Sequence, residues 1–288
     1  MSESSPATNQ VSDASPAVRQ IEADIREDIA QGKLKLPVLP NVATEVLAST
    51  LDDTSDAVRL AGLIQQDQSL ATHVLRVVNS PAFRGSAEIV SLQQAIARLG
   101  MVRIREIALT ASLKNALSVK GAYQDLMDDA WRYGLAAGLW SKEVARATRK
   151  NVEQAYVDGL LHNIGQSLIA VDLARRDPTL ASSDAESLMR VLGRDAGIAL
   201  VEEWQLPPSV AVVIEHIGQF ASAGDQADDV AVVEAGSVIA HAAHTDAMDA
   251  EQILANAAVQ HLNLYPDDVT ALLEHADAIS NALSSMVL

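Results

Sequence analysis

The sequence predicts an all-α protein, a compact multi-helix bundle, and three observations carry that prediction. Apolar residues recur at i, i+3 and i+4 along most of the chain, and no stretch alternates apolar with polar as a half-buried strand does. Alanine is abundant while aromatic residues make up only 3% of the 288, which suits closely packed helices better than a β-sandwich. Cap residues precede several apolar runs, and glycines follow them.

Taken in order, residues 1–14 are Ser, Ala, Pro, Asn, Gln and Asp with little apolar content, and they read as a disordered tail. Ser15-Pro16 is an N-cap followed by proline at the first helical position. Val18, Ile21, Ile25 and Ile29 continue that helix, and Gly32 ends it. Leu36-Pro37-Val38-Leu39-Pro40 is an extended link. From Asn41 to Leu117 short amphipathic helices follow, with Asn41, Ser55 and Ser91 as N-caps and Gly100 as a stop. Gly121 is the expected boundary between helical halves spanning 15–120 and 122–220. A long helix is expected from about Tyr123 to Ala147 and another from Asn151 to His162. Asp184 is expected to cap a helix running toward Trp204, and Pro207-Pro208 to start one reaching His216. Residues 221–229 read as a loop, and three acidic helices finish the chain, the last from Pro266-Asp267. Residues 230–288 then form an acidic helical extension packed on the second half.

Charge is unevenly placed. Arg194 is the last Lys or Arg, and Asp195–Leu288 holds 15 acidic residues, so this third carries −15 of a net −17. Such a surface repels nucleic acid and anionic lipid. A solubilising face is the simpler reading, and a docking site for a basic partner the sharper one. The chain has no cysteine, which excludes disulfides and thiolate sites and fits a reducing, cytoplasmic setting. No apolar run has the length of a membrane span, and the N-terminus lacks the basic and apolar regions of a secretory signal.

One motif bears directly on chemistry. Leu160-Leu161-His162-Asn163-Ile164-Gly165 resembles the Leu-Leu-His-Asp-Ile-Gly signature of HD-type phosphohydrolases, with asparagine in place of the aspartate. In an HD enzyme the adjacent His and Asp bind a divalent metal that activates water. An asparagine offers that metal only a neutral carbonyl dipole.

Further motifs extend the likeness. They are Leu36-Pro37-x-Leu39-Pro40, Gln66-Asp67-x-x-Leu70, Leu75-Arg76-x-x-Asn79-Ser80-Pro81-x-Phe83, Ser91-Leu92-x-x-Ala95-Ile96-x-x-Leu99-Gly100, Arg103-Ile104-Arg105, and Trp204-x-Leu206-Pro207 with His216. In this order and spacing they resemble the HDOD family, the non-enzymatic relatives of HD phosphohydrolases, over about residues 31–220. The resemblance implies an HD-like helical core packed against an N-terminal helical half, and a role in bacterial signalling. It places Tyr133 where a catalytic HD domain has a histidine, Gln166 where a lysine follows the glycine, and His241 near a later aspartate.

The candidate residues form two groups. The first is a remnant HD pocket of Tyr133, Asp158, His162, Asn163, Gln166, His216 and His241, with no catalytic residue and no metal assigned. His162 is either a surviving ligand or a helix-terminal histidine hydrogen-bonded to Asp158 at i,i+4, and the second is preferred. Asn163 is expected to make structural hydrogen bonds. His241 and His244 lie three apart, with Asp246 nearby, but no third ligand is placed by the sequence, so a surface or core role is preferred. Glu215-His216 either lines the pocket or is a solvent-facing pair. Asn79-Ser80-Pro81 is most simply a capped turn.

The second group is a basic stretch, Arg98, Arg103, Arg105, Lys114 and Lys120 against Glu106 alone. It is read either as an anion or partner surface or as a solvated face over Ile96, Leu99, Ile104 and Leu109. It lacks the interleaved aromatics of a nucleic-acid site. Together these features predict a non-catalytic regulatory or scaffolding module that acts in trans through a signalling protein partner, without a cofactor, nucleic acid or membrane, and with self-association open. The alternatives are a metal-dependent HD-type phosphohydrolase with an unusual ligand set, and a small-molecule or nucleotide sensor using the remnant cleft.

Overall fold

A computed structural model describes residues 15–50, 57–83, 85, 87–117, 121–244 and 250–287. The expected tail 1–14, Ser55, Lys120 and Asp246 lie outside the described residues, as does the side chain of His244. Among the described residues every regular element is helical.

Helix α1 (Pro16–Ala30) starts where Ser15 Oγ accepts from the Val18 amide, and Gly32 follows it at φ 62°. The helices α2 (Asn41–Thr50), α3 (Ala57–Gln65), α4 (Gln68–Val78), α5 (Leu92–Leu99) and α6 (Met101–Leu117) come next. Asp67 caps α4 and Ser91 caps α5, while Gly100 leaves α5 at φ 83°. Asn41, expected as a cap, is already helical, and the Thr44 amide bonds the Pro40 carbonyl instead.

The second half contains α7 (Gln124–Ala147), α8 (Val152–Leu161), α9 (Ile164–Arg176), α10 (Ser182–Glu203) and α11 (Pro208–His216). Asn151 caps α8. Asp184 does not cap α10: the helix begins two residues earlier, and the carboxylate sits in the first turn, where the helix dipole favours it. Residues 221–229 are not a loop. A 3₁₀ segment, Phe220–Gln226, leads directly into α12 (Ala227–His244). Four further helices follow: α13 (Ala250–Ala255), α14 (Ala257–His261), α15 (Pro266–Leu273) and α16 (Ala276–Val287). The helix begun by Pro266 is therefore not the last.

Two helices organise the molecule. α6 lies among α2, α4 and α5, and α7 among α8, α9, α12 and α16. One buried cluster joins both sets, from Val18 in α1 to Met286 in α16. α6 is not the solvated face that its arginines suggest: Ile104 through Leu113 are all buried, Arg105 and Glu106 included. Lys142 of α7 donates to both Glu106 oxygens at 2.9 and 2.8 Å, and Thr110 of α6 meets the Tyr156 hydroxyl of α8 at 2.6 Å. α1 belongs by chain order to the first half, yet it packs on α10, with Arg26 on Asp195 at 3.4 Å and Arg176 of α9 on Asp28. α12 lies along α7 and forms one wall of the candidate site.

Candidate functional site

The site is built where α8 ends and α9 begins. Leu160 and Leu161 are buried, His162 closes α8, and Asn163 opens α9. Gly165 then passes α10 at backbone distance. A Cβ on Gly165 would lie 1.9 Å from the Gly193 carbonyl oxygen and 2.5 Å from the Gly197 nitrogen. Only glycine permits this crossing, and the crossing fixes α10 as a wall beside the motif.

Asn163 is clamped to α7. Its Nδ2 donates to the Ala130 carbonyl at 2.8 Å, and its Oδ1 sits 2.5 Å from where a Cβ on Gly134 would lie. A carbonyl oxygen only accepts, so this position needs a donor. An ionised aspartate would set a carboxylate against that oxygen. The asparagine is thus an element of the packing between α7 and α9.

The His162 ring is buried, with Nδ1 2.6 Å from the Gly159 carbonyl and its edge toward Tyr133 at 5.5 Å. The expected Asp158–His162 bond is absent. Gly159 offers a carbonyl at the frayed end of α8, while Asp158 faces α11 and accepts from Ser209 Oγ at 2.7 Å. Because Nδ1 faces an acceptor it carries the proton, and Nε2 is left as a lone-pair acceptor. Burial holds the His162 pKa down at about 4, so the ring is neutral at physiological pH. Burial likewise pushes the Asp158 carboxyl up to about 7, against the pull of Ser209.

A cleft of about 620 Å³ opens beside this ring. Of the expected pocket residues, Tyr133, His162, Asn163, Gln166 and His241 line it. Asp158 does not, because it is turned into the α8–α11 contact. His216 does not line it either: its Nδ1 is 2.7 Å from Ser222 Oγ, and its neighbours Ile214, Ile217 and Gly218 take the lining positions. The chain turns extended at Ile217 (ψ 133°), which separates His216 from the residues that follow.

Sequence reasoning missed Arg190, Arg194, Glu234 and Ser237, which complete the cleft. The i,i+4 spacing of the two arginines was the available signal, but nothing in the sequence showed that α10 borders the motif. Tyr133 Oη donates to the Ser237 carbonyl at 3.4 Å, and burial raises the phenol pKa.

These donors do not fit a resident divalent metal. Asn163 has its amide on Ala130, and Glu234 Oε2 accepts from the Gly218 amide at 2.9 Å. Two imidazoles and a neutral amide are a poor match for a hard cation that needs carboxylate. Among the described residues no group of three His, Cys, Asp or Glu is placed to hold a metal ion.

The described residues of the basic stretch are engaged with the fold itself. Arg98 donates to the Ala87 carbonyl at 2.8 Å and Arg103 to Glu106 at 2.9 Å. Arg105 is buried 3.6 Å from Glu153, and Lys114 donates to the Val287 carbonyl at 2.7 Å. Lys114 alone also borders an open groove, shared with His73 and Arg76 between α4 and α6. Two other quoted motifs prove architectural. Asn79 pairs with both backbone groups of Ile89, at 2.8 and 2.9 Å, and Trp204 Nε1 donates to the Pro37 carbonyl.

Comparison with known proteins agrees with the helical fold. Residues 36–220 match the HDOD domain. An HDOD domain protein of unknown function from Geobacter sulfurreducens superposes with a TM-score of 0.71 at 19% identity, covering 93% of this chain and 98% of that one. A Shewanella amazonensis SB2B protein, named as a candidate metal-dependent phosphohydrolase, gives 0.67 at 21% identity over 94% and 98% of the two chains. A candidate signal transduction protein from Marinobacter aquaeolei VT8 gives 0.64 at 20% identity, covering 98% of this chain and 68% of that one. An uncharacterized protein of Treponema pallidum is 23% identical over 187 residues, 61% of this chain, which spans only about a third (36%) of that relative's length. With the match covering well over half of the sequence, the chain belongs to the HDOD domain family.

Proposed function

We propose that this protein is a non-catalytic regulatory module of bacterial signal transduction that acts by binding another protein. The observation that carries the reading is the Asn163 clamp. The residue standing where an HD enzyme has its metal-binding aspartate has its amide on the Ala130 carbonyl, in the contact between α7 and α9. The name of the Marinobacter relative points to signalling, that of the Shewanella relative to hydrolysis. The donor chemistry of the cleft favours the first.

With the basic stretch engaged internally, the acidic last third is the distinctive surface left for a partner. Its charge would speed encounter with a basic face, and salt would slow it. The test is capture of partners from the native cell extract at low and moderate salt, with wild type beside Glu274→Lys/Asp277→Asn, two exposed positions near the start of α16. A specific partner that is weakened by salt and by the variant is expected. Absence of any specific partner at either salt would overturn the reading.

A further inference from the structure

We propose that the cleft beside His162 is a binding site for a phosphorylated small molecule of nucleotide size, with Arg190 and Arg194 taking the phosphate and His162 Nε2 accepting from a hydroxyl or amino group of the same ligand. The inference rests on the non-catalytic reading in one respect only: the ligand leaves unchanged.

Three observations converge on the site. The first is size: about 620 Å³ is the range of small-molecule and cofactor pockets. The second is charge. Arg190 and Arg194 stand one helical turn apart on the wall formed by α10, in a chain whose net charge is −17. Arg194 has no hydrogen-bond or ion-pair partner among the described residues, and Arg190 holds only the exposed Glu186, at 2.9 Å. Such an exposed pair is weak and easily exchanged for a phosphate, which guanidinium groups bind in a bidentate fork. Glu234 is the only carboxylate among the described lining residues, and the Gly218 amide already bonds it.

The third observation is unmet hydrogen bonding on the buried side. His162, 9% exposed, has Nδ1 on the Gly159 carbonyl, and its Nε2 has no partner among the described residues. Ser237, 6% exposed and lining the same cleft, has a hydroxyl with no partner among the described residues. Buried polar groups left without partners are costly, so a cleft lined by them favours a ligand that satisfies them. In the same lining, Ile214, Ile217 and Val238 supply an apolar wall for a base. An anion alone would leave the His162 acceptor and that wall unused. A nucleoside alone would leave the arginines unused.

The test is titration calorimetry on the full chain with AMP, GMP and a cyclic dinucleotide, beside adenosine and inorganic phosphate, followed by chromatography of the recovered ligand. Binding of at least one nucleotide is expected, about tenfold or more tighter than adenosine or phosphate. Arg194→Ala and Arg190→Ala should each weaken it by about tenfold. The exposed Arg19→Ala, on α1, should leave it unchanged. Both cleft arginines are exposed, so their removal should not unfold the protein, and the unfolding temperature of each variant checks this. Absence of binding by every phosphorylated probe, or binding indifferent to both arginines, would overturn the site while leaving the non-catalytic reading intact. Binding with conversion of the ligand would support the site and overturn that reading instead.

Discussion

Trp204 Nε1 donates to the carbonyl oxygen of Pro37 at 2.8 Å, across 167 positions of the chain. The bond ties the extended link before α2 to the end of α10, and so joins two motifs that stand far apart in the sequence. Trp204 is 6% exposed, so the bond is largely shielded from water. Replacing it with phenylalanine keeps most of the packing but leaves the Pro37 carbonyl without its donor. Trp204→Phe should lower the unfolding free energy by about 1–2 kcal/mol, read from urea denaturation at an unchanged m-value. A loss indistinguishable from zero would show that water replaces the indole.

The crossing of α9 and α10 gives a sharper expectation. Gly165→Ala would drive a Cβ into backbone atoms of Gly193 and Gly197, which have no rotamer to yield. The cost should reach about 3 kcal/mol or more, seen as insoluble protein or a large fall in thermal midpoint. Gly62 of α3 is the matched control, because a Cβ there meets nothing within 4 Å. Gly62→Ala should be neutral or stabilise by up to about 1 kcal/mol.

Asp158 and His162 oppose each other in pH dependence. The Asp158 pKa is raised to about 7, so its stabilising contribution is present at low pH and is lost as pH rises from about 4 to about 7. The His162 pKa is lowered to about 4, so its contribution is present above about 6.5 and is lost as pH falls toward 4. Asp158→Asn removes the first slope and leaves the second. Relative to wild type, the variant should gain stability from pH 5 to pH 8, with an upper bound of about 4 kcal/mol for the full shift. Unfolding curves at the two pH values measure this. A difference that does not change with pH would contradict the buried, raised carboxyl.

The ion pair between the two central helices predicts non-additivity. Glu106 and Lys142 are both buried, and Arg103 also reaches Glu106. Glu106→Gln leaves an ammonium without its counter-charge and should cost about 3–5 kcal/mol. Burial already depresses the Lys142 pKa, and loss of the carboxylate depresses it further. Glu106→Gln/Lys142→Met should be more stable than Glu106→Gln alone, because no orphaned charge remains. A double-mutant cycle with additive costs would refute the coupling.

Much of the fold was legible because its signals are local. Ser15 and Ser91 cap the helices expected of them, and Gly32 and Gly100 follow at positive φ. The failures share one cause, which is tertiary position. Residues 221–229 are rich in Ala and Asp and carry little periodicity, yet they form 3₁₀ turns, broken at Gly224, and the first turn of α12, with the 3₁₀ turns packed on α11. Arg105 and Glu106 look like surface residues in sequence and are buried because α6 is enclosed by helices from both halves. In the cleft, the histidine–asparagine motif was visible, but its partners were not. Asp158 lies one turn before His162 and still turns away, toward Ser209 on α11, whose hydroxyl it accepts from. Arg190 and Arg194 reach the cleft through the glycine crossing, which no local pattern encodes.

The central claim is that the histidine–asparagine motif of this chain does no hydrolytic chemistry. Its most direct test is turnover of nucleotide and cyclic-dinucleotide substrates by the purified full chain with added Mn²⁺, with His162→Ala and Asn163→Asp measured beside it. The expected result is no hydrolysis above the His162→Ala level in wild type, and none gained by Asn163→Asp, whose carboxylate would face the Ala130 carbonyl. Metal-dependent turnover in wild type that His162→Ala abolishes would contradict the account.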